Sequence, residues 1–134
     1  MRTFLDSNIL LYLVGHEGSI KKKIVKNLIS PDQFISTQVI AENVNVCLKK
    51  FHMDKQLAFS HGKNLLQKFT VLTIEKPTLE KSFLISNTYN LSFWDSLIIA
   101  TALHADCTIL YSEDMQNGLL IEKNLTIKNP FKNS

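Results

Sequence analysis

Short apolar runs alternate with pairs of longer helical stretches along this chain, and that alternation limits the fold more than any other feature. The runs are residues 2–5, 33–36, 70–73 and 108–111. Between them lie stretches of helical periodicity at 8–14 and 19–28, at 37–51 and 54–69, and at 78–89 and 92–105. Caps and breakers fit these bounds: Asp6 or Ser7 before the first, Gly15 to Gly18 after it, Ser19, Thr37, Asp54, Thr78 and Ser92 at later starts, and Asn90 at one end. Residues 119–121 and 125–127 are candidates for a final strand, stopped by Pro130. A β-α-α-β-α-α-β-α-α-β order predicts an α/β fold with a parallel sheet and helices on both faces. The order of strands in the sheet stays open.

Within these helices the apolar positions fall on stripes. Ile20, Ile24, Val25 and Leu28 share one face, with Lys21, Lys22, Lys23 and Lys26 largely on the other, either a solvated face or one turned to RNA. The third helix carries Ile40, Val44, Cys47, Leu48 and Phe51. The stretch from Ser92 is the most apolar, with Phe93, Trp94, Leu97, Ile98, Ile99, Ala100, Ala102, Leu103 and Ala105, and reads as a helix buried against the sheet.

A chain of 134 residues, 45% hydrophobic and 20% charged, suits one soluble globular domain spanning 1–134. No linker, repeat or low-complexity tract divides it. The apolar run at 9–14 is too short to cross a membrane, and the acidic Asp6 before it is unlike a secretory signal. Cys47 and Cys107 lie in apolar contexts without zinc spacing and read as buried thiols of a reducing, cytoplasmic compartment. The net charge of +3 permits a nucleic-acid partner without arguing for one. It leaves a distinctly basic outer surface if several acids are withdrawn into a site.

Asp6, Glu42, Asp95 and Asp114 fall where such a fold brings residues together. Asp6 ends the first run and Asp114 follows the fourth; Glu42 and Asp95 lie about one turn into helices. In a parallel sheet, strand ends and adjoining helix starts share one edge, where ligands bind. Carboxylates gathered there repel unless cations hold them, and hard ions such as Mg²⁺ or Mn²⁺ take oxygen ligands. The pattern points to metal-dependent chemistry on a phosphate ester.

Duller readings stand beside this one. Ser92-x-x-Asp95 is close to a capping box. Asp6 is placed to cap the next helix, Asp114 sits in a polar turn, and Glu42 is an acid near a helix N-terminus. Yet Val39 and Val46 flank Glu42 at helical spacing, which points to a half-buried cleft. His16, His52, His61 and His104 show no ligand spacing, and Ser7 and Ser96 lack a base for a hydrolase triad.

Phe4-Leu5-Asp6-Ser7-Asn8-Ile9-Leu10-Leu11-Tyr12 resembles the opening of a PIN domain, and Ser36-Thr37-Gln38-Val39-Ile40-Ala41-Glu42 resembles the segment carrying that family's second acid. Leu91-Ser92-Phe93-Trp94-Asp95-Ser96-Leu97-Ile98-Ile99-Ala100 is similar to its third-acid helix. Tyr111-Ser112-Glu113-Asp114-Met115-Gln116-Asn117-Gly118, with Leu125-Thr126-Ile127-Lys128-Asn129-Pro130-Phe131, is similar to the VapC-type toxins of bacterial toxin–antitoxin pairs.

The resemblance implies a three-layer α/β/α domain and an Mg²⁺- or Mn²⁺-dependent endoribonuclease. Asp6, Glu42, Asp95 and Asp114 match the metal-binding, catalytic acids. Asn8 matches the residue supporting the first acid, and Ser112 the hydroxyl before the fourth. It also implies an RNA substrate, a protein antitoxin covering the acid cleft, and a homodimer. Gln116 departs from the pattern, standing where many members carry a further acid, and Glu113 is a rival to Asp114 for the ion.

Other classes fit less well. A phosphoacceptor domain wants paired acids after the first strand, where only Asp6 stands. A nucleotide-binding module wants a glycine-rich loop, and the chain has four glycines in all. A PIN-like scaffold that binds RNA or protein without cutting remains the alternative to an enzyme.

Overall fold

The computed structural model describes residues 1–132; the last two positions of the expected 1–134 domain lie outside the described residues. Strands β1 (Thr3–Leu5), β2 (Phe34–Ser36), β3 (Thr70–Leu72), β4 (Ile109–Tyr111), β5 (Leu120–Ile121) and β6 (Leu125–Lys128) form one sheet in the order β3-β2-β1-β4-β6-β5. The helices are α1 (Ser7–Leu10), continued by a 3₁₀ turn at Leu11–Leu13, α2 (Ile20–Leu28), α3 (Thr37–Lys49), α4 (Lys55–Lys68), α5 (Lys76–Tyr89) and α6 (Phe93–His104).

The strand order explains the layers. β1, β2 and β3 step outward in one direction, then the chain returns to place β4 on the other side of β1. Right-handed crossovers therefore put α1 to α4 on one face and α5 and α6 on the other. The helix contacts agree: α1 packs on α3 and α3 on α4, while α5 packs along α6. The result is a three-layer α/β/α domain. Its strand order reverses between β1 and β4, so the ends of those strands border the crevice where such sheets bind ligands.

The sheet is mixed rather than purely parallel. β1, β2, β3, β4 and β6 pair in parallel, but β5 pairs antiparallel to β6. The two segments read as candidates for one strand form a hairpin. Glu122 and Lys123 both take positive φ (51° and 61°) in its turn, closed by the Asn124 N–H on the Ile121 carbonyl at 3.0 Å. Non-glycine residues resist that conformation. Support comes from α5: the Glu122 N–H donates to Tyr89 Oη (2.8 Å), and Lys81 Nζ pairs with the Glu122 carboxylate (2.6 Å).

The core lies on both faces of β1 and β4. Phe4, Leu5, Ile9, Leu10, Ile99 and Leu110 are fully buried in it. At Gly62, α4 approaches α3 so closely that a Cβ would stand 2.9 Å from Val44 Cγ2. No helix among the described residues is long and apolar enough to cross a membrane.

Several stripe assignments change. Ile20 is 77% exposed, because it opens α2 ahead of the turn that meets the core, whereas Lys22 is buried. The Lys22 stem packs inward, and its ammonium donates to the Gly15 carbonyl (2.7 Å) and pairs with Glu17. Phe51 lies beyond the end of α3 and is part exposed, its ring near His16. Ser36, not Thr37, caps α3, its Oγ accepting the Val39 N–H at 3.2 Å. α5 starts at Lys76 rather than Thr78, with Pro77 in its first turn. α6 is buried from Ser96 to Ala102, but Phe93 and Trp94 in its first turn stand out of the core.

Candidate active site

Asp6 leaves the end of β1, where its N–H continues the ladder to the Tyr111 carbonyl at 3.0 Å. Its side chain is the N-cap of α1. Oδ1 accepts the Ser7 N–H (2.7 Å); Oδ2 accepts from Asn8 Nδ2 (3.2 Å) and Ser112 Oγ (2.8 Å). These bonds favour the carboxylate, yet Asp6 is only 4% exposed. Burial, above all, pushes its pKa up to about 6; the Ser112 and Ser7 bonds pull the other way, and the charges of Glu42 and Asp95 add to the rise.

Asn8 and Ser112 bind the loop after β4 to this acid. Asn8 Oδ1 accepts the Glu113 N–H at 3.0 Å while its amide nitrogen holds Asp6. Ser112 is fully buried; its Oγ donates to Asp6 and accepts the Met115 N–H at 3.2 Å. The loop bearing Asp114 is thus set against the end of β1. Asp114 itself is exposed.

Glu42 lies in the second turn of α3 and is half-buried, with Oε1 sealed from solvent and without a hydrogen-bond partner. Burial raises its pKa first, Gln38 and the Ser7 hydroxyl oppose this, and the Asp95 charge adds to it. Asp95 sits in the first turn of α6, its N–H donating to the Ser92 cap at 3.1 Å. Its pKa is raised by burial, lowered by Ser92 and raised by the Asp114 charge. Among the described residues no hydrogen bond runs back from the Asp95 carboxylate to the Ser92 N–H. The capping box is therefore half made.

The four acids thus form a chain of mutual repulsion: Asp6 with Glu42 and Asp95, Glu42 with Asp95, Asp95 with Asp114. None lies on the far side of the molecule. They do not, however, form a finished cage. Among the described residues no three His, Cys, Asp or Glu side chains stand close enough to hold a metal ion. The donor chemistry fits a hard divalent cation, being all oxygen with one buried oxygen of Glu42 unpartnered.

Glu113 is engaged elsewhere. It accepts from Tyr12 Oη (2.8 Å) and pairs closely with Lys21, whose ammonium also lies 5.1 Å from the Phe131 ring centroid. With Lys22 paired to Glu17, two lysines of the basic face are thereby spent on ion pairs within the chain.

Sequence reasoning passed over Asn43, the residue after Glu42. It is fully buried; Nδ2 donates to the carbonyls of Ser7 (3.1 Å) and Val39 (3.2 Å). Both amide protons are committed, so Oδ1 is the acceptor and His61 Nε2, at 3.0 Å, carries the proton it receives. This bridge holds α4, α3 and the residue next to Asp6. The available signal was its i+4 spacing from Val39, a polar residue on an apolar stripe. Gln38 was passed over too. It is 7% exposed, and its Nε2 donates to the Trp94 carbonyl at 3.3 Å, joining the helices of Glu42 and Asp95.

A mostly parallel α/β/α sheet with repelling acids at its switch point defines a class of acidic-site domain. Residues 3–116 match the PIN domain family model, and the chain belongs to the PIN domain family. Solved structures agree in fold. A toxin–antitoxin complex from Klebsiella pneumoniae has a chain 23% identical, covering 97% of this chain and 98% of its own, with a TM-score of 0.72. VapBC2 from Rickettsia felis, bound to a DNA fragment from its promoter, is 17% identical over 96% of this chain and 98% of its own, TM-score 0.72. VapC20 of Mycobacterium tuberculosis, a Sarcin-Ricin loop cleaving toxin, is 16% identical over 81% and 86%, TM-score 0.67. At these identities the likeness is one of fold. Comparison with curated protein sequences found no match.

Proposed function

We propose that this chain is a metal-dependent endoribonuclease, the toxin of a toxin–antitoxin pair. The observation that carries the reading is Asp6: an acid at the switch point of a PIN domain, held by three donors, its pKa raised first by burial and further by the charges of Glu42 and Asp95. Support for the substrate and partner comes from the relatives, one a Sarcin-Ricin loop cleaving toxin and another a toxin–antitoxin complex.

The reaction is in-line attack of water on an RNA phosphodiester. A phosphorus–oxygen bond forms to the water oxygen, the bond to the leaving ribose oxygen breaks, and that oxygen takes up a proton. Asp6, Glu42, Asp95 and Asp114 would hold Mg²⁺ or Mn²⁺, which when bound would supply a lowered water pKa and neutralise charge on the phosphate oxygens. The chain's own part is positional. Ser7, Asn8 and Ser112 fix the Asp6 carboxylate; Asn43 fixes Ser7; Gln38 ties the helix of Glu42 to that of Asp95. An ionised carboxylate in this cluster accepts the water proton. Exposed lysines such as Lys23 and Lys26 attract the RNA backbone, so binding weakens with salt. An antitoxin segment covering the acids, and a homodimer, follow from the family resemblance.

The non-cleaving scaffold is the alternative, since among the described residues no three acids stand close enough to hold an ion. Purified chain incubated with structured RNA in MgCl₂, MnCl₂ or EDTA separates the readings, with Mn²⁺ binding followed by calorimetry. Cleavage in metal alone, with Mn²⁺ heat lost in Asp6→Asn, is the expected result. Absence of both cleavage and Mn²⁺ binding establishes the scaffold. Growth arrest on expression, relieved by the neighbouring small gene product, tests the toxin role.

A further inference from the structure

A cleft of about 590 Å³ opens beside the acids, between α3 and the start of α6. Gln38, Ala41, Glu42 and Asn45 line one side; Ile74 and Trp94 face them. Three features bear on what enters this cleft. The Trp94 ring is 60% exposed, though the residue directly precedes Asp95. The ring is braced rather than loose: Phe93 packs on it at 5.1 Å and 63°, and Phe83 stacks on Phe93 at 6.0 Å and 30°. Lastly, Gln38 is more than nine-tenths buried, and its Oε1 has no hydrogen-bond partner.

The Gln38 amide cannot relieve this by turning over. Its Nε2 donates to the Trp94 carbonyl at 3.3 Å, and exchanging the two ends would set oxygen against oxygen. An unmatched buried acceptor costs free energy until a donor arrives. Here the donor has to enter past a flat, half-apolar wall. A planar group with N–H on its edge meets both demands: its face covers Trp94 and its edge reaches Gln38.

We propose that this cleft is a nucleobase subsite, in which one unpaired base of the RNA stacks on Trp94 and offers an exocyclic amine to Gln38 Oε1. This rests on the reading of the chain as an RNA-cleaving enzyme and names the feature of the substrate it selects. Glu42 lines the cleft as well as the acid cluster, so the bound base adjoins the scissile phosphate. Uracil is disfavoured: two carbonyl oxygens flank its single N–H, and the Glu42 carboxylate repels them. Adenine, cytosine and guanine each carry the amine. The stacked base has to leave its helix, so the subsite takes single-stranded or looped RNA.

The chain's single tryptophan makes the test direct. Intrinsic fluorescence is followed in EDTA and low salt while short single-stranded oligoadenylate, oligocytidylate, oligouridylate or an abasic ribose-phosphate oligomer is added. The first two quench Trp94, oligouridylate binds more weakly, and the abasic oligomer binds without quenching. By anisotropy of labelled oligoadenylate, Trp94→Ala weakens binding about tenfold, within the usual worth of one stacked base, and Trp94→Phe restores most of it. Gln38→Met levels the preference against oligouridylate.

Equal quenching by the abasic oligomer overturns the subsite. So does unchanged affinity in Trp94→Ala, including the case where that variant only alters the size of the particle in solution, which marks the aromatic face as a self-association surface. If either occurs while the wild-type chain cuts RNA in Mg²⁺, the nuclease reading survives and the subsite does not. If the wild-type chain neither binds nor cuts RNA, both fall.

Discussion

Ser112 Oγ donates to Asp6 Oδ2 at 2.8 Å across 106 positions of sequence, and the same oxygen accepts the Met115 N–H that closes the loop of Asp114. One hydroxyl therefore fixes the first acid and the turn carrying the fourth. Ser112→Ala removes a bond that favours ionised Asp6, so the Asp6 pKa rises further and the acid limb of the pH–rate profile moves to higher pH. The unmatched Met115 N–H and Asp6 oxygen cost about 1–3 kcal/mol of stability, read from denaturant midpoints. A profile that does not move would show that Asp6 ionisation does not govern the rate.

Metal-free stability depends on pH with a definite sign. The Asp6 pKa rises from 3.8 unfolded to about 6 folded. Its contribution is full below the unfolded value and is lost as pH rises through about 6. The loss is on the order of 3 kcal/mol at neutral pH. Glu42 and Asp95 are raised as well and act in the same sense. Thermal unfolding in EDTA should give a lower Tm at pH 7.5 than at pH 5, with Mg²⁺ or Mn²⁺ restoring it at pH 7.5. A Tm that climbs over this interval would contradict the burial of these acids.

Asp95→Asn should reduce RNA cleavage to background and leave the fold intact. The cap of α6 uses the Asp95 N–H, not its carboxylate. With one repelling charge gone, the Tm in EDTA at pH 7.5 should equal or exceed that of the unaltered chain. Far-UV circular dichroism and cleavage assays on one preparation decide it; an unfolded variant would give Asp95 a structural role.

Glu113 and Asp114 are neighbours with different duties. Because Glu113 is held by Lys21 and Tyr12, Glu113→Gln should keep cleavage within a few-fold of normal. Asp114→Asn should lower it far more, and Mn²⁺ affinity with it. The reverse order would reassign the fourth acid.

Asn43→Ala should be among the costlier polar truncations. It strips partners from the Ser7 carbonyl and from His61 in a fully buried place. About 1–3 kcal/mol should be lost, with reduced cleavage through displacement of Ser7 beside Asp6. Normal stability would mean that water replaces the amide.

Much of the fold was legible because local periodicity is a local property. The strand ends at Leu5, Ser36 and Tyr111 and the caps at Ser19, Asp54 and Ser92 follow from residues a few positions apart. The β5–β6 hairpin was not legible. Glu122-Lys123 carries no turn signal, and its left-handed backbone is held by Tyr89 and Lys81 from a helix over thirty positions earlier. Lys22 misled for the same reason: its burial depends on Gly15 and Glu17 folding back over it.

By itself, the sequence determined an alternating α/β chain with acids at strand ends and helix starts, since spacing along the chain dictates which face and which end a residue occupies. Only the tertiary structure decided the strand order that puts β4 beside β1, and so brings Ser112 within a hydrogen bond of Asp6. It alone turned Glu113 to Lys21 and left Gln38 with an unmatched oxygen. Burial and pairing at those points depend on atoms contributed by distant segments, and no local pattern encodes which segments will meet.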